Sequence, residues 1–256
     1  MKVICSIWWG EIWGFFNGKK RPIETKVIDH ELITISWKKS PKVLFIPTAS
    51  WDNKSYISNF TNYYTSLGCD VNTLLLHNKL IDPITLKKKV FSADIIYVWG
   101  GNTLKMLNLW KKVWLISLLQ QAHKKWIIFA GISAGGICWF HGGMSDSRKF
   151  SDKDTGFIIV KGLDFVPLYF CPHFDRDVKR KEILPEFIKR TNKKRIVLED
   201  GTAFLVRWKR WRIVKSKPEA RACLGFHHKD EVIYQALEVT DFQSLSKLSR
   251  SYPLFI

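Results

Sequence analysis

A serine that could act as a nucleophile stands in the stretch IIFAGISAGGICWF, residues 127–140. Four apolar residues lead directly into Gly131-Ile132-Ser133-Ala134-Gly135, and a segment typical of a helix follows. Small neighbours permit a sharp strand-to-helix turn that lifts the serine hydroxyl above the sheet edge. The N–H groups that open such a helix point toward a developing negative charge. The pattern predicts Ser133 as the nucleophile of an acyl transfer, against the alternative of an ordinary β-α turn with glycines for close packing.

A serine hydroxyl needs a base to remove its proton, and the chain has seven histidines. His173 follows an apolar strand, residues 168–171, and sheet-end loops of open α/β folds are where active sites gather. His141 is predicted on the helix after Ser133, which carries it away from the turn. The other histidines fall in early connections, a lysine-rich helix end or a late polar segment. We predict His173 as the base, against the alternative of a surface-loop histidine.

A carboxylate holds the tautomer of such a base and stabilises its imidazolium form. Two acids compete for this role. Asp200 follows a short apolar strand and precedes a turn glycine, whereas Asp146 lies just past the helix after Ser133. Asp200 gives the chain order Ser, His, Asp, which argues against the α/β-hydrolases, whose acid precedes the histidine. We choose Asp200 as the acid and keep Asp146 as the alternative.

The elements that position these residues read as an α/β fold. Apolar runs alternate with helix-period segments, which predicts a parallel sheet covered on both faces. After an N-terminal strand, the predicted strands cover residues 43–46, 71–76, 94–98 and 127–130. The predicted helices run from Ser50 or Asp52 through Tyr64, over 83–91, and from Leu104 to Lys125 with a break near Lys112. The second half predicts short strands near 158, 168–171, 196–198, 203–206 and 212–215, and a helix over 178–191.

The bulk composition fits one domain over residues 1–256, because no repeat, linker or composition break divides the chain. No segment reaches the roughly 18 apolar residues of a membrane span. Glu11 interrupts the apolar N-terminus and no small-residue cleavage site follows, so we expect a cytoplasmic protein without membrane association. The five widely spaced cysteines form no metal-ligand cluster and predict reduced thiols.

The net charge is 41 − 23 = +18, which raises the question of a nucleic-acid partner. The basic residues are dispersed in short runs at predicted helix ends and in loops. We interpret them as a solvated surface and expect no specific nucleic acid, with nonspecific affinity for polyanions as a side effect.

Several segments together resemble the peptidase E family in order and spacing, from about residue 40 to residue 225. They are PTAS (47–50), GGNT (100–103), GISAGGICWF (131–140), GGMSDS (142–147), CPHF (171–174) and LEDGTAFLV (198–206). The resemblance implies a glutamine amidotransferase-like, three-layer sandwich with a mostly parallel central sheet and helices on both faces. It implies a serine peptidase without metal or cofactor.

By the same resemblance, Ser133 is the nucleophile, His173 the base and Asp200 the third member. Gly101 and Ala134 would donate the N–H groups of an oxyanion hole. The resemblance gives three further residues a role in substrate binding or site support: Asn102, Asp146 and Arg176.

The implied substrate is a small peptide, cleaved by an exopeptidase or dipeptidase, and a homodimer is the assembly we consider. Removal of an N-terminal aspartate would need a cation. Arg176, Lys179 and Arg180 follow His173, but surface charges at a helix start are the alternative. Two rival functions stay open: a cyanophycinase-like hydrolase of β-linked aspartyl substrates, and a catalytically silent polyanion-binding protein of this fold.

The twelve tryptophans are an unusually large number. Several fall where a turn predicts glycine, the default residue at positive φ. They are Trp8, Trp9, Trp13, Trp37, Trp99, Trp126, Trp208 and Trp211. We hypothesise that several of them stand for glycine in the native protein, through a stop codon reassigned to glycine but translated here as tryptophan. The alternative is a genuine, unusually aromatic sequence.

Overall fold

Two large sheets carry the fold in a computed structural model, which describes residues 2–8, 12, 15–16, 19–20, 23–77, 81–150, 156–238 and 241–249. The strands are β1 Val3–Ile7, β2 Phe15–Phe16, β3 Lys19–Lys20, β4 Lys42–Ile46, β5 Asp70–Thr73, β6 Ile95–Val98, β7 Ile128–Ile132, β8 Phe140–Ser145, β9 Ile158–Lys161, β10 Val166–Cys171, β11 Arg195–Leu198, β12 Thr202–Arg207, β13 Arg210–Lys215, β14 Ala222–His228, β15 Glu231–Ala236 and β16 Gln243–Ser244.

The helices lie between these strands. They are α1 Lys26–Ser36, α2 Lys54–Ser66, α3 Pro83–Ser92, α4 Thr103–Lys112, α5 Leu115–His123, α6 Ala134–Ile137, α7 Val178–Thr191 and α8 Ser246–Ser249, with 3-10 turns at Thr48–Ser50 and Ser147–Phe150.

The main sheet has the strand order β16-β13-β12-β1-β7-β6-β4-β5. The five strands from β1 to the edge strand β5 run parallel, and β12 pairs with β1 antiparallel. Apolar side chains of β4, β6 and β7 alternate between two core clusters, one against α3, α4 and α5 and the other against α1 and α2. The predicted α/β architecture, with a mostly parallel sheet between two helical layers, is confirmed.

The second sheet has the order β15-β14-β11-β10-β8-β9 and holds the less regular half of the chain. Strands β8, β10 and β11 run parallel in it. The prediction for His141 was wrong, because α6 ends at Ile137 and His141 lies in β8. Two adjacent glycines, Gly142 and Gly143, let β8 pack closely there, since a Cβ at either would meet a backbone oxygen at 2.8 or 2.7 Å.

Helix caps show where the predicted boundaries held. Asp82 accepts a hydrogen bond from the Thr85 N–H at 2.9 Å, with Pro83 in the first turn as predicted. The start of α2 was predicted at Ser50 or Asp52, but Asn53 caps it. Asp52 instead accepts the N–H groups of Leu76 and His77, so it holds the end of the β5 segment.

Two arginines contradict the interpretation of the basic residues as surface charges. Arg180 is 2% exposed and Arg195 is wholly buried. Each guanidinium donates to a backbone oxygen, of Met144 at 2.8 Å for Arg180 and of Phe187 at 2.8 Å for Arg195, while the Nε atom of each has no hydrogen-bond partner among the described residues. Burial of a guanidinium requires such partners, and a sequence pattern does not reveal them.

The tryptophans assigned to glycine positions divide in the structure. Trp37 and Trp208 have positive φ, as predicted. Trp99 and Trp126 do not, so the backbone reason was wrong for them: Trp99 packs in an aromatic cluster, its ring centroid 5.9 Å from that of Phe45. Positive φ is absent likewise at the buried Trp8 and Trp211. Trp9 and Trp13 lie outside the described residues.

Among the helices of the described residues, none combines the length and apolar character that crossing a bilayer requires. All five cysteines are described, and each is a free thiol. A cavity of about 740 Å³ opens at the amino-terminal ends of β1 and β7, between Lys2 and Trp126. Catalytic groups of open α/β sheets gather at the opposite edge, so this cavity is remote from the predicted nucleophile.

Candidate active site

The turn that carries Ser133 is strained, with φ 53° and ψ −111° at the serine. Its N–H donates to the Ile7 carbonyl at 3.0 Å, which ties the turn to the end of β1. A Cβ at Gly131 would lie 2.2 Å from the Gly135 oxygen, and a Cβ at Gly135 would lie 2.1 Å from the Val98 oxygen. Both glycines are therefore required for the turn, as the sequence pattern indicated.

His173 lies against this turn. The Ser133 Oγ is 2.6 Å from the His173 Nε2, and both side chains are partly exposed. If the imidazole carries its proton on Nδ1, the Nε2 accepts the hydroxyl proton. The structure thus brings together the nucleophile and base that the sequence predicted forty residues apart.

Burial, together with the smaller effect of the neighbouring Arg180 and Arg176 cations, lowers the pKa of the His173 imidazole to about 3. The ring is therefore neutral near pH 7, the state that a general base requires. The backbone at His173 also has positive φ, 62°. A strained base facing a strained nucleophile is typical of an active site.

Trp8 covers the histidine, and Arg176 lies over Trp8. The indole ring of Trp8 is wholly buried, with its centroid 4.7 Å from that of the imidazole. Its Nε1 finds no acceptor among the described residues. The Arg176 guanidinium lies over the indole ring, 5.4 Å from its centroid. The Trp8 ring thus fills the space beside the base.

Asp200 lies near this group, but its described hydrogen bonds do not reach the base. Its Oδ2 accepts from Arg176 and from the Lys217 Nζ, the latter at 2.9 Å. Its Oδ1 is buried and has no hydrogen-bond partner among the described residues. Lys217 in turn pairs with Glu24 at 2.8 Å. The carboxylate predicted to orient His173 is held by two cations, and one oxygen remains available.

The two residues predicted to form an oxyanion hole lie on neighbouring strand exits. Gly101 has φ 137°, and a Cβ there would lie 2.2 Å from the Ala49 oxygen. Ala134 opens α6, so its N–H has no acceptor within the helix. Neither N–H donates a hydrogen bond to another of the described residues. Both amides therefore remain available as donors.

Asn102 anchors the loop beside the turn, in which Asp146 lies. Asn102 is 1% exposed, caps α4 through the Lys105 N–H at 2.9 Å, and donates to the Ser147 carbonyl at 2.8 Å. The Ser145 and Ser147 hydroxyls lie 2.7 Å apart and contact α4. These contacts fix Asp146 between two anchored serines, while no described side-chain contact joins its carboxylate to the base.

Sequence reasoning missed three residues around the site: Trp8 as a cover of the base, Arg180 as a buried cation and Lys217 as a partner of Asp200. The run of charges after His173 carried a signal for Arg180, but nothing in the pattern indicated its burial. Within the described residues, no group of three or more His, Cys, Asp or Glu side chains is placed to hold a metal ion.

Known proteins resemble the chain throughout this region. The family model described as peptidase family S51 matches residues 17–214. The uncharacterized peptidase YgaJ of Bacillus subtilis (strain 168) is 36% identical over 163 residues, 63% of this chain. The uncharacterized peptidase PM1590 of Pasteurella multocida (strain Pm70) is 27% identical over 141 residues, 53% of this chain. The matched region spans 66% of each relative's length, just under two thirds.

Two solved structures share the fold. One is a protein of Listeria monocytogenes EGD-e assigned to peptidase E, with a TM-score of 0.62 and 19% identity, covering 84% of this chain and 98% of that one. The other is a peptidase from an acI-B1 Actinobacterium, with a TM-score of 0.63 and 19% identity, covering 94% and 96%. At this identity the likeness concerns the fold alone.

Proposed function

Because the chain belongs to peptidase family S51, we propose that it is a serine exopeptidase that hydrolyses small peptides through an acyl-enzyme. The observation that carries the proposal is the 2.6 Å contact between the Ser133 Oγ and the His173 Nε2 on a strained strand-to-helix turn. A hydroxyl in hydrogen-bond contact with a neutral imidazole is the arrangement of an activated serine nucleophile.

In the proposed reaction, the Ser133 Oγ attacks the peptide carbonyl carbon while its proton passes to the His173 Nε2. The carbonyl oxygen becomes an oxyanion that accepts the Gly101 and Ala134 N–H groups. The imidazolium then protonates the leaving amine, the C–N bond breaks and an acyl ester of Ser133 remains. Water attacks this ester with His173 as base, which releases the carboxylate product and restores the serine.

We assign Asp200 the role of supporting acid, on the argument that its Oδ1 is buried without a partner among the described residues. The base would gain from such a partner, because a nearby carboxylate stabilises the imidazolium that forms during the reaction. Arg176, with its side chain 53% exposed, is bound to the other oxygen of this carboxylate. It thereby lies within reach of a substrate that enters beside His173.

The five free thiols support a reducing compartment and thus a cytoplasmic location. The rival binding function is weakened by the burial of Arg180 and Arg195, which removes two cations from the surface available to a polyanion.

A profile of turnover separates these functions. Purified chain and its Ser133→Ala variant would be offered a panel of dipeptides, longer peptides and a β-linked aspartyl polymer. Release of one product residue from small peptides, lost in the variant, is the expected result. Cleavage of the polymer alone would replace the proposal with the cyanophycinase-like function. Absence of serine labelling by a phosphonate, together with salt-sensitive nucleic-acid binding, would favour the silent protein.

A further inference from the structure

Four tryptophans adopt a left-handed backbone conformation. The φ angle is 58° at Trp37, 56° at Trp51, 62° at Trp114 and 60° at Trp208. In this region the Cβ atom approaches the following carbonyl oxygen, so the conformation is routine for glycine and tolerated by asparagine and aspartate. For a bulky residue it is a genuine outlier. A single tryptophan in this conformation would need no special explanation. Four residues of the same rare type in it indicate a common cause.

Among large apolar residues, the left-handed conformation is confined to tryptophan within the described part of the chain. Among the described residues, the other non-glycine positions with positive φ are all polar: Asp52, Ser133, Asp164, His173, Asn192 and Lys229. No described phenylalanine, tyrosine, leucine, isoleucine or valine is in this group, although the chain has 17 phenylalanines and 7 tyrosines. If the fold merely tolerated large side chains in its turns, these commoner residues would share the conformation.

Three of the four positions lie where glycine has a defined role. Trp37 is the C-cap of α1, and its N–H donates to the Thr34 carbonyl, which is the geometry of a glycine helix terminator. Trp208 is the first residue of the two-residue loop between β12 and β13, where a type II′ turn requires glycine. Trp114 directly follows Val113, the C-cap of α4, in the left-handed conformation, at the position where glycine commonly ends a helix.

Packing does not compensate for this strain. The exposed fractions are 78% for Trp37, 76% for Trp114 and 62% for Trp208, so these rings bury little apolar surface. Trp110 provides the contrast. It is wholly buried and its Nε1 donates to the Thr48 hydroxyl at 3.2 Å, as expected of a tryptophan selected for its side chain.

We propose that the natural protein carries glycine at positions 37, 51, 114 and 208. A UGA codon that the source cell reads as glycine, and that is translated as tryptophan in the printed sequence, places one residue type at all four positions. Tryptophans encoded by UGG, such as Trp110, stay tryptophan. This inference is independent of the proposed function, since Trp37, Trp114 and Trp208 are exposed and have no part in the proposed reaction.

Position 51 connects the inference to the candidate active site. It follows the turn Thr48–Ser50, whose Ala49 carbonyl accepts the Asn102 N–H at 2.8 Å and lies against Gly101. A glycine at 51 would let this turn support the oxyanion loop without strain. The large cavity changes as well, because Trp208 forms part of its wall, and this wall is lost when glycine replaces the ring.

The direct test reads both the gene and the protein. The codons at 37, 51, 114 and 208 are expected to be UGA and the codon at 110 to be UGG. Tandem mass spectrometry of the protein purified from its own cells is expected to read glycine at the four positions and tryptophan at 110. Tryptophan at 37, 114 and 208 in those peptides would overturn the proposal.

A stability series tests the physical reason in the recombinant chain. Trp37, Trp114 and Trp208 would each be changed to glycine and, as the matched control, to alanine, which removes the ring but keeps the Cβ. Glycine is expected to give a melting temperature about 2–4 °C above alanine at each position. At Trp126, which is 76% exposed without positive φ, alanine should equal or exceed glycine. Alanine above glycine at all three left-handed positions would refute the inference.

Discussion

The Ser133 Oγ and the His173 Nε2 lie 2.6 Å apart, and both residues hold positive φ angles, 53° and 62°. The strain sits on the two groups that must meet and is held by the surrounding structure: the Gly131–Gly135 contact at the serine and the end of β10 at the histidine. Strain of this kind is maintained only where neighbouring contacts over-determine the conformation. The pair therefore behaves as a preorganised unit.

Removal of the nucleophile should abolish turnover and leave the fold intact. We expect Ser133→Ala to lower kcat by at least about 10⁴-fold, because a serine nucleophile has no substitute in this chemistry. Phosphonate labelling should be lost with it, while the melting temperature stays near that of the unmodified chain. Ser92→Ala, at an exposed helical serine, is the matched control and should keep both activity and labelling.

The pH dependence should show a low acid limb. Because the pKa of His173 is lowered to about 3, the base stays neutral through pH 5, and kcat/KM should fall only as the pH approaches that value. A limb near pH 6.5 would contradict this assignment.

Stability should fall in the same direction as activity, but from a higher pH. The unfolded chain protonates His173 below its ordinary pKa of 6.5, and the folded chain does so only near 3. The free energy of unfolding should therefore fall as the pH drops through this window, by about 1 kcal/mol per pH unit from this group. A His173→Gln variant, measured by urea denaturation at pH 7 and pH 5, should lose that part of the slope.

Replacement of each candidate acid by asparagine distinguishes the roles of Asp200 and Asp146. Asp200→Asn should lower kcat by about 10²- to 10⁴-fold, because a neutral amide cannot stabilise the imidazolium. Asp146→Asn should have a smaller effect, expressed in KM. Comparable kcat losses in both variants, or a larger one for Asp146, would transfer the supporting role to Asp146.

Three glycines form a graded series that isolates the requirement at Gly101. Gly156 has open space around it and no positive φ, Gly68 has φ 86° with open space, and Gly101 has both positive φ and a contact of 2.2 Å. Replacement by alanine should be near neutral at 156, cost about 1 kcal/mol at 68, and cost at least about 3 kcal/mol at 101. Denaturant titration measures all three. A Gly101→Ala variant as stable as Gly68→Ala would show that this loop can relax.

Removal of the Trp8 ring should change the base directly. In Trp8→Ala, water reaches the face of the imidazole that the indole covers, so the pKa of His173 should rise from about 3 toward 6.5. An NMR titration of the histidine ring checks this, and the acid limb of kcat/KM should move with it. Trp211→Ala is the control, since that indole is also buried but stacks on Phe204. An unchanged pKa in Trp8→Ala would contradict the covering role.

Much of the main sheet could be predicted, because a buried parallel strand is a continuous apolar run. The alternation of such runs with helical segments gives the order of the elements along the chain. The helix over 178–191 was predicted with its observed bounds, and the strand-to-helix turn at Ser133 was predicted from its glycines. The fate of the chain after the turn could not be predicted. Residues 134–141 have helix-forming neighbours, yet α6 stops at Ile137 because Gly142 and Gly143 allow β8 to enter the second sheet.

The contacts around His173 and Asp200 could not be predicted either, for a different physical reason. The partners of Asp200 come from Arg176 and Lys217, 24 positions before it and 17 after. Burial of Arg180 depends on a carbonyl of β8. Such contacts are long-range and carry no local periodicity, so a single sequence identifies the charges without their pairing.

Ser133 is carried by the main sheet and His173 by the second sheet. Turnover therefore depends on the packing of the two sheets against each other. A small shift between the sheets would separate Ser133 from His173 without unfolding either sheet. Under mild denaturant, activity should be lost while the far-ultraviolet circular dichroism persists. Substitutions in the interface between the two sheets would thus change the activity without altering any residue that touches the peptide.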